Sequence, residues 1–269
     1  MKKLFFLLLT LLGASNLFAQ KTTSLNIKFD NFVGNDPVVL NAKSYKNQAG
    51  EDFNISLLQY YVSNIQLVKK DGSVYTVPQD DSYFLVRQNR PETQTITLKD
   101  IPQDKYVGIN FVIGIDSARS AAEIGYRKGC LDVAGDAQDM YWAWNSGYIF
   151  VKMEGSSPQS TLKENIFMYH IGLFGGIGDK KTLNNIRNVS LAFNNETIKL
   201  KAGKVAPIIR IKMDASKILN GETTVSIAKN PSVMGGPYSA KIAENYKSMF
   251  SYNGIGMPAP TEKISLGLK

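Results

Sequence analysis

The sequence is poor in the residues that most metal and catalytic sites require. Its 269 residues include one histidine, His170, one cysteine, Cys130, and two tryptophans. A single histidine excludes any site that needs two imidazoles, such as the three-histidine zinc site. A single cysteine excludes an internal disulfide, so stability has to come from a buried core. We interpret Cys130 as a small buried or half-buried residue; the alternative is a reactive or metal-binding thiol.

Several functional motifs are also missing. No G-x-S-x-G sequence is present that could place a nucleophilic serine beside His170, and there is neither a P-loop nor a dinucleotide fingerprint. The net charge is +8, but the lysines and arginines are scattered among apolar residues. Nucleic-acid binding is therefore not expected.

The N-terminus, residues 1–19, has the composition of a secretory signal peptide. Met1 to Lys3 supply positive charge, Leu4 to Leu12 form an apolar run, and Ala19 offers a small residue for cleavage before Gln20. This run is too short for a transmembrane helix, and no later run is long and apolar enough to cross a membrane. We therefore expect a periplasmic or secreted protein with no membrane insertion after cleavage.

The rest of the chain predicts short strands separated by turns. Residues 24–32 alternate polar and apolar side chains, as a half-buried strand does. Asp71-Gly72 lies between two strand-like runs and indicates a hairpin. The other main strand-like runs are Ile55–Val68, Tyr83–Arg87, Thr95–Leu98, Tyr106–Ile115, Ile166–Gly172, Val189–Phe193, Glu196–Leu200 and Ala206–Met213.

Near the C-terminus, Ser239–Phe250 has apolar residues at helical spacing and predicts an amphipathic helix. We therefore predict an all-β fold, an antiparallel β-sandwich with one or two short helices that include this C-terminal one. Residues 20–253 are expected to form the domain and residues 254–269 a loose tail.

The stretch Tyr141–Glu154 holds both tryptophans and predicts one strand, with Trp142 and Trp144 on the same face. The strand-like run that follows, Ile166–Gly172, contains His170. We expect the aromatic run and the only imidazole to come together. Taken alone, a histidine in an apolar strand is more often a packed, hydrogen-bonded core residue than a ligand.

Methionines near these runs could add soft metal donors. Met168 precedes His170 by two residues, and Met234 lies in the turn V-M-G-G-P. Thioether and imidazole ligands together suit Cu(I), and an indole face can contact a cation. Most methionines in a chain of this length are nevertheless expected to fill gaps in the core.

Carboxylates before the tryptophans permit two other interpretations. Asp132, Asp136 and Asp139 could hold calcium, although an Asp/Gly turn is favoured because their spacing lacks an EF-hand pattern. Alternatively, the aromatic run could line a sugar site of a hydrolase, with Asp116 and Asp139 as acid and base.

An ordered set of short motifs extends over most of the chain that follows the signal peptide. The motifs are Y-V-S-N-I at 61–65, G-I-D-S at 114–117, G-C-L-D at 129–132, M-Y-W-A-W at 140–144, Y-H-I-G at 169–172 and I-A-E-N-Y at 242–246. In this order and approximate spacing, they resemble the MbnP-like family of periplasmic and cell-surface copper-binding proteins of bacteria.

The resemblance implies a secreted, non-enzymatic β-sandwich that holds copper through histidines close to a tryptophan. It also implies a partner, a di-haem oxidase of the MauG/MbnH type, which can oxidise that tryptophan to kynurenine. By position the tryptophan is Trp142 or, as the second choice, Trp144, and His170 is a copper ligand.

This chain departs from the family pattern, because copper sites in the family use more than one histidine. The alternatives are that Met234 or Met168 supplies the missing donor, or that nothing replaces it. The last alternative corresponds to a metal-free β-sandwich that serves as a surface or binding module.

Overall fold

The computed structural model describes residues 22–144 and 147–257. The predicted signal peptide, residues 1–19, lies outside these ranges, so it stays a prediction, as do the boundaries of the 20–253 domain. Within the described ranges, no helix is long and apolar enough to cross a membrane.

The described chain consists mainly of β-strands. In chain order they are β1 (Thr22–Val33), β2 (Asp36–Pro37), β3 (Tyr45–Lys46), β4 (Asp52–Phe53), β5 (Leu57–Lys69), β6 (Val74–Thr76), β7 (Tyr83–Arg87), β8 (Thr95–Pro102), β9 (Lys105–Ile113), β10 (Tyr141–Trp142), β11 (Gly147–Ser156), β12 (Ile166–Gly172), β13 (Phe174–Ile177), β14 (Lys180–Asn184), β15 (Arg187–Ala192), β16 (Ile198–Lys199), β17 (Ile208–Asp214), β18 (Ser232–Val233) and β19 (Phe250–Gly256).

The helices are short. The α-helices are α1 (Ser117–Ser120), α2 (Ser216–Leu219) and α3 (Gly236–Tyr246). Turns of 3₁₀-helix occur at Gln79–Asp81, Pro91–Gln94, Ile124–Tyr126, Gly129–Leu131 and Lys163–Asn165.

Two sheets pack against each other. The first has the strand order β19-β17-β1-β2, with β8 also paired to β1, and the second has the order β15-β9-β5-β11-β12-β18. Strands β6 and β7 also pair with β5, β10 with β11, and β16 with β9. The predicted all-β sandwich is confirmed. Two pairs, β1 with β17 and β12 with β18, are parallel, which local sequence patterns do not reveal because the partners are far apart in the chain.

Aromatic rings from both sheets meet in the core. The ring of Phe29 on β1 makes edge-to-face contacts with Tyr60, Phe111 and Phe250, at centroid distances of 6.1, 6.2 and 5.9 Å. All four residues are buried. Such contacts add about 0.5–1.5 kcal/mol each beyond the burial of apolar area.

The C-terminal helix begins three residues and ends four residues earlier than the predicted Ser239–Phe250. Helix α3 ends at Tyr246, with Ile242 and Tyr246 buried as the apolar stripe requires. Phe250, predicted to end the helix, instead begins β19, because its ring fills the core beside Phe29. Strand β19 pairs with β17 and includes residues 254–256 of the predicted tail.

A buried carboxylate, that of Glu51, ties the loop after α2 to the β3-β4 hairpin. Only 6% of Glu51 is exposed. Its oxygens accept hydrogen bonds from Asn47 Nδ2, Ser226 Oγ and the backbone N–H groups of Ile227 and Ala228, at 2.6 to 3.0 Å. Burial acts to raise the pKa of Glu51, but the four donors outweigh burial and hold the pKa below its usual value.

We predict that Glu51→Gln lowers the free energy of unfolding by about 2 kcal/mol at neutral pH, because an amide cannot accept all four hydrogen bonds. A lowered pKa in the folded state means that the carboxylate stabilises the fold above its unfolded pKa, near 4.5. This contribution is lost as the pH falls through the folded pKa. Urea unfolding of both proteins should therefore show a difference that shrinks below about pH 4.5.

Asp52→Asn is the matched control. Asp52 follows Glu51 in the chain, but its carboxylate makes an exposed ion pair with Lys46 at 2.8 Å. Exposed ion pairs contribute little, so the control should have a small effect. Equal effects of the two substitutions at neutral pH would contradict the role given to Glu51.

Candidate functional site

Strand β12 presents different side chains to the two sides of the second sheet. Phe167, Tyr169 and Ile171 are buried in the core between the sheets. Met168 and His170 alternate with them and therefore face the outer side. Only 9% of His170 is exposed, while Met168 is half-buried.

Strand β18 brings Met234 to the same outer side. It runs parallel to β12, with Val233 opposite Tyr169. Each of these buried residues is followed by an outward one, His170 on β12 and Met234 after β18. Met234 is half-buried and packs against the hydrophobic cluster on the outer face that contains Trp142. The structure thus gathers the candidate ligands on one side of one sheet.

A carboxylate holds the imidazole of His170. Its Nε2 lies 2.7 Å from Oε1 of Glu154 on the neighbouring strand β11. The hydrogen bond with His170 lowers the pKa of Glu154 and outweighs the opposing effect of burial, and the charge of Lys152 lowers that pKa further. The carboxylate is therefore ionised at neutral pH and accepts a hydrogen bond from the Nε2–H group of His170. In the neutral imidazole this leaves the lone pair on Nδ1.

Four polar residues form a row across the outer face. The strand registers set Arg87 on β7 opposite Gln59 on β5, Gln59 opposite Lys152 on β11, and Lys152 opposite His170. Asp139 lies over this row. Its carboxylate accepts hydrogen bonds from Gln59 at 2.7 Å and Arg87 at 3.0 Å, and its carbonyl accepts one from Lys152 at 3.0 Å. The row therefore anchors the segment that leads into β10 and the tryptophans.

The predicted calcium ligands each have a separate protein partner. Asp139 joins the polar row, Asp136 pairs with Arg90 at 3.3 Å, and Asp132 accepts the backbone N–H of Ala134 at 2.9 Å. In residues 22–144 and 147–257 no group of three histidine, cysteine or carboxylate side chains is arranged to hold a metal. These contacts favour the Asp/Gly turn over a calcium site.

The carboxylates considered for a hydrolase also have structural partners. Asp116 caps α1 by accepting the backbone N–H of Arg119 at 2.9 Å, and it accepts the hydroxyl of Tyr83 at 2.6 Å. Asp139 is held in the polar row. The geometry therefore gives no support to an acid–base pair made of Asp116 and Asp139.

Cys130 is half-buried, as predicted. Its Sγ donates to the carbonyl of Tyr83 at 3.3 Å, and burial raises the pKa of the thiol to about 12. A thiol that stays protonated at neutral pH is a poor nucleophile and metal ligand, which favours the structural interpretation.

The tryptophan stretch forms a hairpin, so the prediction of a single strand over Tyr141–Glu154 is wrong. Strand β10 pairs with the start of β11, with Trp142 opposite Gly147. Trp142 is 6% exposed and Trp144 is 69% exposed, so the two do not share a buried face. Their rings instead stack at a tilt, with centroids 5.0 Å apart. The turn-forming composition of N-S-G at 145–147 was the sequence signal for this hairpin.

The indole of Trp142 packs on Gly172, two residues beyond His170 on the same side of β12. A methyl group at Gly172 would lie 2.8 Å from Cζ3 of Trp142 and 2.4 Å from the carbonyl oxygen of Tyr148. The missing side chain thus leaves room for the indole at a position two residues along β12 from the histidine. This is a contact that composition and periodicity do not predict.

Together these features define a two-sheet β protein that carries a histidine–carboxylate pair, two methionines and a stacked tryptophan pair on one outer face. The MbnP family model matches residues 22–235, and the chain belongs to the MbnP family. This confirms the resemblance found in the sequence motifs.

A solved structure agrees with this assignment. MbnP from Methylosinus trichosporium superimposes with a TM-score of 0.56 at 17% sequence identity, covering 89% of this chain and 100% of the other. At this identity the similarity shows the shared fold. A comparison with curated proteins finds no match.

We predict that Gly172→Ala lowers the free energy of unfolding by about 1–3 kcal/mol, because the added methyl group must displace Trp142 or the backbone of Tyr148. Urea unfolding followed by tryptophan fluorescence measures the effect. Gly125→Ala is the matched control, since a methyl group there meets no atom within 4 Å. Equal effects of the two substitutions on the free energy of unfolding would show that close packing at Gly172 does not contribute to stability.

Proposed function

We propose that this protein is an exported, non-enzymatic copper-binding protein with His170 as the nitrogen ligand. The observation that supports this most directly is the 2.7 Å contact between Nε2 of His170 and the carboxylate of Glu154. A metal-binding histidine commonly donates its second ring nitrogen to a carboxylate, which fixes the tautomer and makes the free nitrogen a better ligand. Glu154 is such a carboxylate partner for Nε2 of His170.

Met234 and Met168 are the proposed sulfur donors. Both lie on the outer side with His170, Met234 at the adjoining strand β18 and Met168 two residues earlier on β12. Thioether and imidazole donors form a soft set that suits Cu(I) better than harder cations. The residues present therefore fit copper, with one imidazole nitrogen and methionine sulfur as the ligands.

The side chains around His170 carry one negative and one positive charge. Glu154 brings a negative charge next to His170, and Lys152 lies 3.7 Å from that carboxylate while it is held by the carbonyl of Asp139. The ammonium of Lys152 is thus tied to oxygen acceptors on the side of the polar row. The indoles of Trp142 and Trp144 are proposed to border the copper, where an indole face can stabilise a cation.

Membership of the MbnP family supports a partner and a location. A di-haem oxidase of the MauG/MbnH type is the proposed partner, with Trp142 or Trp144 as the residue that it oxidises. The signal-like composition of residues 1–19 supports a periplasmic or secreted location.

The alternative function is a metal-free surface or binding module of the same fold. One observation favours it: the chain has a single histidine, and within residues 22–144 and 147–257 no group of three histidine, cysteine or carboxylate side chains is arranged to hold a metal. In that case His170 serves to hold β11 and β12 together.

A Cu(I) titration against a competing chelator, made on protein without a histidine tag, separates the two functions. We predict tight binding by the native protein and a loss of at least about tenfold in affinity for His170→Ala, because the imidazole is the only nitrogen donor of its kind. Glu154→Gln should weaken binding by about 10–100-fold, as expected when the partner of a ligand is removed. Met234→Leu should also weaken it, because leucine keeps the packing and removes the sulfur.

Met257→Leu is the control, because Met257 is exposed and lies on no strand of the second sheet. It should bind Cu(I) like the native protein. Unchanged binding in His170→Ala, or no binding by the native protein, would contradict the copper function and support the metal-free module.

A further inference from the structure

A groove of about 610 Å³ opens between Trp144 and the β13-β14 hairpin. It is lined by Trp144, Phe174, Gly176, Ile177, Asp179, Lys180 and Thr182. None of these residues other than Trp144 belongs to the proposed copper site. A volume of this size is in the usual range of small-molecule sites.

Trp144 contributes an unusually exposed aromatic surface to the groove. Trp144 is 69% exposed, although a tryptophan side chain is normally mostly buried. One side of its indole rests on Trp142, which is itself held against Gly172. The indole of Trp144 is therefore held in place by Trp142, and its exposed part is available to a ligand. Ile177, 50% exposed, extends this apolar surface.

The rim of the groove is polar and carries both signs of charge. Asp179 offers a carboxylate, Lys180 an ammonium group and Thr182 a hydroxyl, all on the β13-β14 hairpin or its turn. Since one positive and one negative group are present, the rim has no net preference for a charged ligand. It offers both hydrogen-bond donors and acceptors.

We propose that this groove binds a pyranose ring of a neutral oligosaccharide. A pyranose has an apolar face of C–H groups, whose partial positive charge is attracted to the negative face of an indole. Its edge carries hydroxyl groups, which both donate and accept hydrogen bonds. Trp144 fits the face of such a ring, and Asp179, Lys180 and Thr182 fit its edge. The groove shares Trp144 with the border of the proposed copper site but contains none of its ligands, because neither His170 nor the methionine donors line it.

The experiment is a fluorescence titration of EDTA-treated protein with cellotriose, maltotriose and triacetylchitotriose. Binding of at least one of these sugars should shift the tryptophan emission to shorter wavelength and saturate, because the exposed indole of Trp144 becomes covered. For Trp144→Ala, which lacks the reporting indole, binding is measured by isothermal titration calorimetry and should be abolished. Asp179→Asn should weaken binding by about tenfold, which corresponds to about 1.4 kcal/mol.

Ile124→Ala is the matched control, since Ile124 is 73% exposed but does not line the groove. It should bind like the native protein. No saturable shift with any of the three sugars up to about 20 mM, where even weak sites fill, would overturn the proposal. Unchanged binding in Trp144→Ala would overturn it too. The titration contains no copper and the Cu(I) titration contains no sugar, so the two proposals fail separately.

Discussion

The burial of one face of β12 is the constraint on which the candidate site depends. Phe167, Tyr169 and Ile171 are fixed in the core between the sheets, and a slip of one residue in register would turn all three toward the outer side. Exposing these three apolar side chains to water would cost free energy, and this cost keeps the strand in its observed register. His170 therefore has to face outward, where the carboxylate of Glu154 meets it. The position of the only imidazole follows from packing on the opposite side of the strand.

Two local features shape the outer face around that imidazole. Gly172 has no side chain, and the indole of Trp142 fills the space. Asp139 is bound to the polar row that contains Lys152 and Arg87, so the segment before the tryptophans is held down on the sheet. One feature works by steric fit and the other by charge, and both position the tryptophan hairpin beside β12. The same hairpin exposes Trp144 to the neighbouring groove.

Local patterns in the sequence were enough for much of the fold. The alternation over residues 24–32, the Asp71-Gly72 hairpin and the bounds of β12 agree with the structure, because each depends on neighbours in the chain. The tryptophan hairpin was not predicted, because the strand preference of the aromatic residues outweighed the turn-forming N-S-G sequence at 145–147. The parallel pairs, the polar row and the contact of Trp142 with Gly172 could not be predicted, since they depend on the registers of strands that are distant in sequence.

In the proposed copper site, Glu154 holds Nε2 of His170, and Nδ1 is the nitrogen that binds the metal. The chain has one histidine, so a long-range proton–nitrogen NMR spectrum of untagged protein contains a single imidazole pattern. Cu(I) is diamagnetic and can be added during the measurement. We expect a protonated Nε2 without metal, and a shift of the Nδ1 resonance on addition of Cu(I) while Nε2 keeps its proton. A spectrum in which both nitrogens stay unchanged, or in which Nε2 responds, would contradict this expectation.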